Sequence, residues 1–90
     1  MRHELKIDQQ CFYDIEAGRK TFEIRKDDRG YVIGDTLLLC QTLSTGVEMA
    51  NGAALQYTGR EVMVEVLYIM RGSCYGLLAD YVVMSIRLVG

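Results

Sequence analysis

The chain has no proline among its 90 residues. No helix or strand is therefore broken by one, and turns must come from glycine and from Asp or Asn. Histidine occurs once and cysteine three times, at Cys11, Cys40 and Cys74. The cysteines stand far apart, without C-x-x-C spacing. Structural metal sites use clustered ligands, so neither a metal nor another cofactor is expected. An odd thiol count, with no apolar leader after Met1-Arg2-His3-Glu4, reads as reduced cysteines in a cytoplasm. No apolar run approaches the roughly 20 residues of a membrane helix, so no membrane partner is expected. Excess positive charge is also missing. A net charge of −2 argues against a protein that coats nucleic acid by neutralising phosphates, but leaves room for a local basic site.

What is present is apolar mass. Half the residues are hydrophobic, enough for a core in a single domain over residues 1–90. His3–Ile7 alternates and predicts a strand. Asp8 is a plausible N-cap for a short helix over Gln9–Ala17, ended by Gly18. Thr21–Lys26 predicts the second strand, followed by a turn at Asp27-Asp28-Arg29-Gly30. Tyr31-Val32-Ile33 leads into a second turn at Gly34-Asp35. Thr36–Leu43 is nearly continuous in apolar residues, as in a strand buried on both faces. Ser44–Gln56 reads as a long loop, with a helical turn expected near Ala53–Gln56. Tyr57-Thr58-Gly59-Arg60 reads as a turn. Glu61–Met70 reads as a long, bent strand with Val62, Val64, Val66 and Tyr68 on one face. A loop follows at Arg71–Gly76, then a helical turn at Leu77–Asp80 and a last strand at Tyr81–Val89. Repeated strand–helix alternation is missing, which disfavours a doubly wound sheet. The pattern predicts an α+β fold: a small, mostly antiparallel sheet curled into a barrel, with one or two short helices.

The densest chemistry lies in Gly18-Arg19-Lys20-Thr21-Phe22-Glu23-Ile24-Arg25. Strand alternation predicts Phe22 and Ile24 in the core, with Thr21, Glu23 and Arg25 sharing the opposite face. Arg19, Lys20, Arg25, Lys26 and Arg29 concentrate positive charge between positions 19 and 29, partly offset by Asp27 and Asp28. Such a cluster beside a turn suits a polar or anionic ligand. It also suits an ordinary solvated strand face with cross-strand ion pairs.

Gly18, Lys20, Glu23 and Arg25 spell G-x-K-x-x-E-x-R. This resembles the signature of the ASCH domain, a PUA-like β-barrel. The longer strings Lys20–Arg29 and Val32-Ile33-Gly34-Asp35 resemble the small bacterial and phage family DUF3850. So do His3-Glu4-Leu5-Lys6, Tyr57–Glu61, Tyr75-Gly76-Leu77 and Tyr81–Ile86. The resemblance implies a barrel of about six strands, with Lys20, Glu23 and Arg25 lining a cleft against the first helix. It further implies an RNA or nucleotide-like ligand. Some relatives of the ASCH group are small amidohydrolases acting on acetylated cytidine. They use a lysine and a threonine in G-x-K-x-x-T-x-R together with a distant glutamate. Here Glu23 occupies the threonine position, although Thr21 lies two residues earlier, and Glu61 or Glu65 are the candidates for the distant glutamate.

Three functional classes stay open. The first is an RNA- or nucleotide-binding module using Lys20, Glu23 and Arg25, supported by Thr21, Arg19, Lys26 and Arg29. Glu23 would accept from an exocyclic amine while the cations take phosphate or carbonyl oxygens. The second is an amidohydrolase on modified cytidine nucleosides, with Lys20, Thr21, Glu23 and Glu61 or Glu65 as catalytic candidates. The third is a module for a protein partner, which an exposed apolar patch over Met49–Leu55 would favour. Tyr13, Tyr31, Tyr57 and Tyr75 lie near loops, where a ring can stack on a base or pack on the rim. Tyr68 and Tyr81 read as core. His3 has no evident catalytic partner, and Cys40 reads as a small buried hydrophobe.

Overall fold

In the computed structural model, which describes residues 1–89, five strands and two short helices form one curled mixed sheet. The strands are β1 (Arg2–Ile7), β2 (Phe22–Lys26), β3 (Thr36–Thr42), β4 (Tyr57–Arg71) and β5 (Tyr81–Leu88). Helix α1 spans Gln9–Glu16 and α2 spans Gly46–Ala50. The sheet order is β1-β3-β4-β5-β2. The β1–β3 pair is parallel, and the β3–β4, β4–β5 and β5–β2 pairs are antiparallel. The expected α+β, barrel-like, mostly antiparallel architecture is thus observed, with five strands rather than six.

Alternation in β1 turns His3, Leu5 and Ile7 inward. They pack beside Leu37 and Leu39 of β3, and Val64, Val66, Val82, Met84 and Ile86 complete the inner layer. Helix α1 starts where Asp8 accepts from the Cys11 amide and closes one end of this layer with Phe12 and Ile15. Gly18 adopts a φ of 78°, a left-handed conformation that costs glycine little, and turns the chain back toward the sheet.

Several expectations need correction. The faces of β2 are reversed. Phe22 and Ile24 are exposed, whereas Glu23 is only 3% exposed. The register explains this: Glu23 and Arg25 lie opposite Met84 and Val82, the inward residues of β5. Thr21 precedes the strand and is exposed. Tyr57–Arg60 is not a turn but the start of β4, paired to β3 through Thr42 and Tyr57. Helical structure in the Ser44–Gln56 segment falls at Gly46–Ala50 rather than Ala53–Gln56, because Thr45 and Glu48 form a reciprocal capping box. The Leu77–Asp80 segment forms turns without a helix.

Two tyrosine assignments also change. An irregularity between Val66 and Tyr68 inserts one residue into β4. The alternation therefore shifts, putting Tyr68 outside and packing Ile69 against the core. Tyr31, expected near a loop surface, is 1% exposed and meets the His3 ring edge-on at 5.0 Å.

Candidate functional site

The reversed β2 faces decide the character of the site. A carboxylate placed on an inward strand face must be paired or neutralised, because desolvating a lone charge is costly. Glu23 is paired twice. Lys20 Nζ donates to Oε1 at 3.1 Å, and Arg25 Nε donates to Oε2 at 2.9 Å. Both cations retain about a fifth of their side-chain exposure, 20% and 22% respectively. Glu23 is thus a buried anchor, and its two cations present their remaining surface outward.

Local structure brings Lys20 to this position. The amides of Arg19 and Lys20 both donate to the Asp14 carbonyl, at 2.9 and 3.0 Å, so the chain folds back tightly over the end of α1. The Lys20 ammonium then lies 3.2 Å from Cys11 Sγ and 5.4 Å from the Phe22 ring centroid. Burial by itself lowers the pKa of Lys20. The Glu23 carboxylate and Cys11 outweigh it, and the net shift is upward. Cys11 is also shifted upward, chiefly by burial, against the opposing effect of Lys20. The site therefore holds an ammonium and a thiol at neutral pH.

Arg25 has a second function in the architecture. Its Nη2 donates to the Lys6 carbonyl at 2.6 Å, and Arg29 Nη1 donates to the Glu4 carbonyl at 3.1 Å. Strands β1 and β2 are the two edges of the sheet. An edge strand leaves alternate carbonyls without ladder partners. Two arginines fill two such positions and tie the open seam of the half-barrel.

These groups surround a cleft of about 310 Å³ between α1, β1, β2 and α2. Its cations are Lys6, Lys20, Arg25 and Lys26, and its carboxylates are Asp8 and Glu23. Asp8 caps α1, and Glu23 is held by Lys20 and Arg25. Glu23 is committed inside the protein through both oxygens and Asp8 through Oδ1, whereas the cations retain donors. The cleft is accordingly suited to an anion. Met49 and Gly46 of α2 form part of its wall, together with Tyr81.

Of the residues singled out in the sequence, Lys20, Glu23, Arg25 and Lys26 come together here. Arg19 turns away to pair with Asp14 at 3.1 Å. Thr21 and Arg29 lie outside the cleft, Arg29 at the seam. Glu65 pairs with Arg87 at 2.6 Å, and Glu61 lies in a separate depression with Cys40 and Arg60. Tyr13, Tyr57 and Tyr75 are exposed but do not line the cleft. Lys6 escaped the sequence reading. Its signal was its place at the end of β1, one residue from the inward Ile7 and two from the helix cap.

Residues 2–86 match the family described as a domain of unknown function, DUF3850. The chain belongs to the DUF3850 family. The comparison with curated proteins found no match. In this DUF3850 domain the match covers all five strands but for the last residues of β5, and it includes every cation of the cleft.

Proposed function

We propose that this DUF3850 domain is a PUA-like, ASCH-type module that binds a nucleotide or a segment of RNA by its phosphate in the Lys20–Arg25 cleft. The observation that carries the reading is the buried Glu23, whose two oxygens fix Lys20 and Arg25 side by side at the cleft mouth. Ordered cations lose less entropy on capturing an anion than free ones. Lys6 of β1 and Lys26 of β2 add charge to the cleft lining.

The same geometry revises the role of Glu23. With both oxygens engaged, it orients the cations instead of reading a base. Proton transfer fits the site poorly. A lysine serving as a base requires a pKa near the working pH, and that of Lys20 moves upward. The candidates for the distant glutamate, Glu61 and Glu65, lie away from the cleft.

The test is a titration of isotopically labelled protein with cytidine, N4-acetylcytidine, CMP and short single-stranded RNA, followed by product analysis. Saturable shifts at residues 20–26 are expected with CMP and RNA, weaker with the uncharged nucleosides, and lost in Lys20→Ala. No shift with any of them overturns the proposal. Conversion of N4-acetylcytidine to cytidine would replace it with an amidohydrolase.

A further inference from the structure

We infer that the cleft is one end of a longer track, and that its ligand is a single-stranded polynucleotide whose backbone continues along the seam between β1 and β2. This inference rests on the phosphate-binding reading of the cleft. A second groove, of about 410 Å³, follows the seam. Lys6, Arg25 and Lys26 line both depressions, so the two adjoin along these cations. Lys20 belongs only to the cleft and Arg29 only to the groove, with the three shared cations between them.

Lys26 lies 3.6 Å from Asp80, an exposed pair that a phosphate can compete with, and the other donors of the track are available. Among the described residues Lys6 has no carboxylate at ion-pair distance. Arg25 uses Nε and Nη2 within the protein and keeps the N–H groups of Nη1. The carboxylates Glu4 and Asp28 also line the groove. Glu4 is 3.5 Å from Arg2, and Asp28 is 3.9 Å from Arg29, both at exposed positions. They leave the favourable phosphate positions confined to the line of cations.

A mononucleotide carries one phosphate ester group and occupies one end of such a track. Successive phosphodiesters are needed to meet cations at both ends. Tyr57 adds the second component of a strand-binding surface. It lines the groove, and its side of β4 is open to solvent, with the residue 54% exposed. Sites for single-stranded nucleic acid combine a basic groove with an aromatic ring on which a base stacks. The seam offers both, while a net charge of −2 suits a narrow track better than a surface for a duplex.

The experiment measures affinity for CMP and for cytidylate and deoxycytidylate oligomers of increasing length, at two salt concentrations. Affinity is expected to rise by about tenfold from mononucleotide to tetranucleotide, from added phosphate contacts and one stacked base. The salt dependence should steepen over the same range. Tyr57→Ala and Arg29→Gln should each cut the length-dependent gain at least threefold and leave CMP affinity unchanged. Tyr57→Phe should retain the gain. A preference between the two series identifies the sugar, and either preference supports the track. CMP binding with no length dependence overturns the track and leaves the cleft reading standing. A length gain untouched by both groove variants also overturns it. Absence of binding by CMP and every oligomer removes the cleft reading itself.

Discussion

Arg25 binds Glu23 and the Lys6 carbonyl with the same guanidinium, through Nε at 2.9 Å and Nη2 at 2.6 Å. One side chain therefore joins the buried carboxylate of β2 to the edge of β1 across a seam that lacks a backbone ladder. Stability and ligand capture are linked at this point, because the group that ties the seam also faces the cleft.

The carboxylate is the more sensitive partner. Glu23→Gln preserves shape and removes the charge that compensates two partly buried cations. Breaking a buried pair by removing one member costs about 3–5 kcal/mol, and the exposure left to Lys20 and Arg25 puts the expected loss near the lower figure. Urea unfolding of the variant measures it. An unchanged midpoint would show that the ion pairs add nothing to the fold.

Side-chain direction in β2 gives a second expectation. Ile24 is 52% exposed and Met84 is fully buried. Ile24→Thr should change stability by only about 0.5 kcal/mol. Met84→Ala should cost about 2–5 kcal/mol by opening the core beside Glu23. The opposite ranking in thermal or urea unfolding would return Ile24 to the interior.

Asp35 supplies a pH dependence. Burial raises its pKa, but the Met1 ammonium, the Val32 amide and His3 Nε2 together overcome this and lower it from 3.8 to about 2. A carboxylate with a depressed folded pKa stabilises the fold fully above its unfolded value. That contribution is lost as pH falls from about 4 to 2. Wild type should therefore exceed Asp35→Asn in stability at pH 6, and the difference should shrink toward pH 2. A constant difference across that range would mean that the charge of Asp35 is not what stabilises the fold.

The sequence by itself determined the parts that local rules control. The alternation of His3, Leu5 and Ile7 fixed the inward face of β1, since successive strand residues point oppositely. Asp8 and Gly18 bounded α1 through a side-chain cap and a positive φ. Alternation put Glu23 and Arg25 of the candidate site on one face of β2.

Tertiary structure decided which way these residues point. Phe22 and Ile24 are the more apolar pair in β2, and local patterning alone sends them inward. Pairing with β5 places Glu23 and Arg25 opposite Met84 and Val82 instead, and two cations compensate the buried carboxylate. The extra residue in β4 likewise moved Tyr68 outside, since one insertion reverses every later position on a strand. Lys6 joined the cleft only because β1 and β2 became the two edges of a curled sheet. A linear pattern records alternation along one strand, but the facing of two edges is set by how the whole sheet closes.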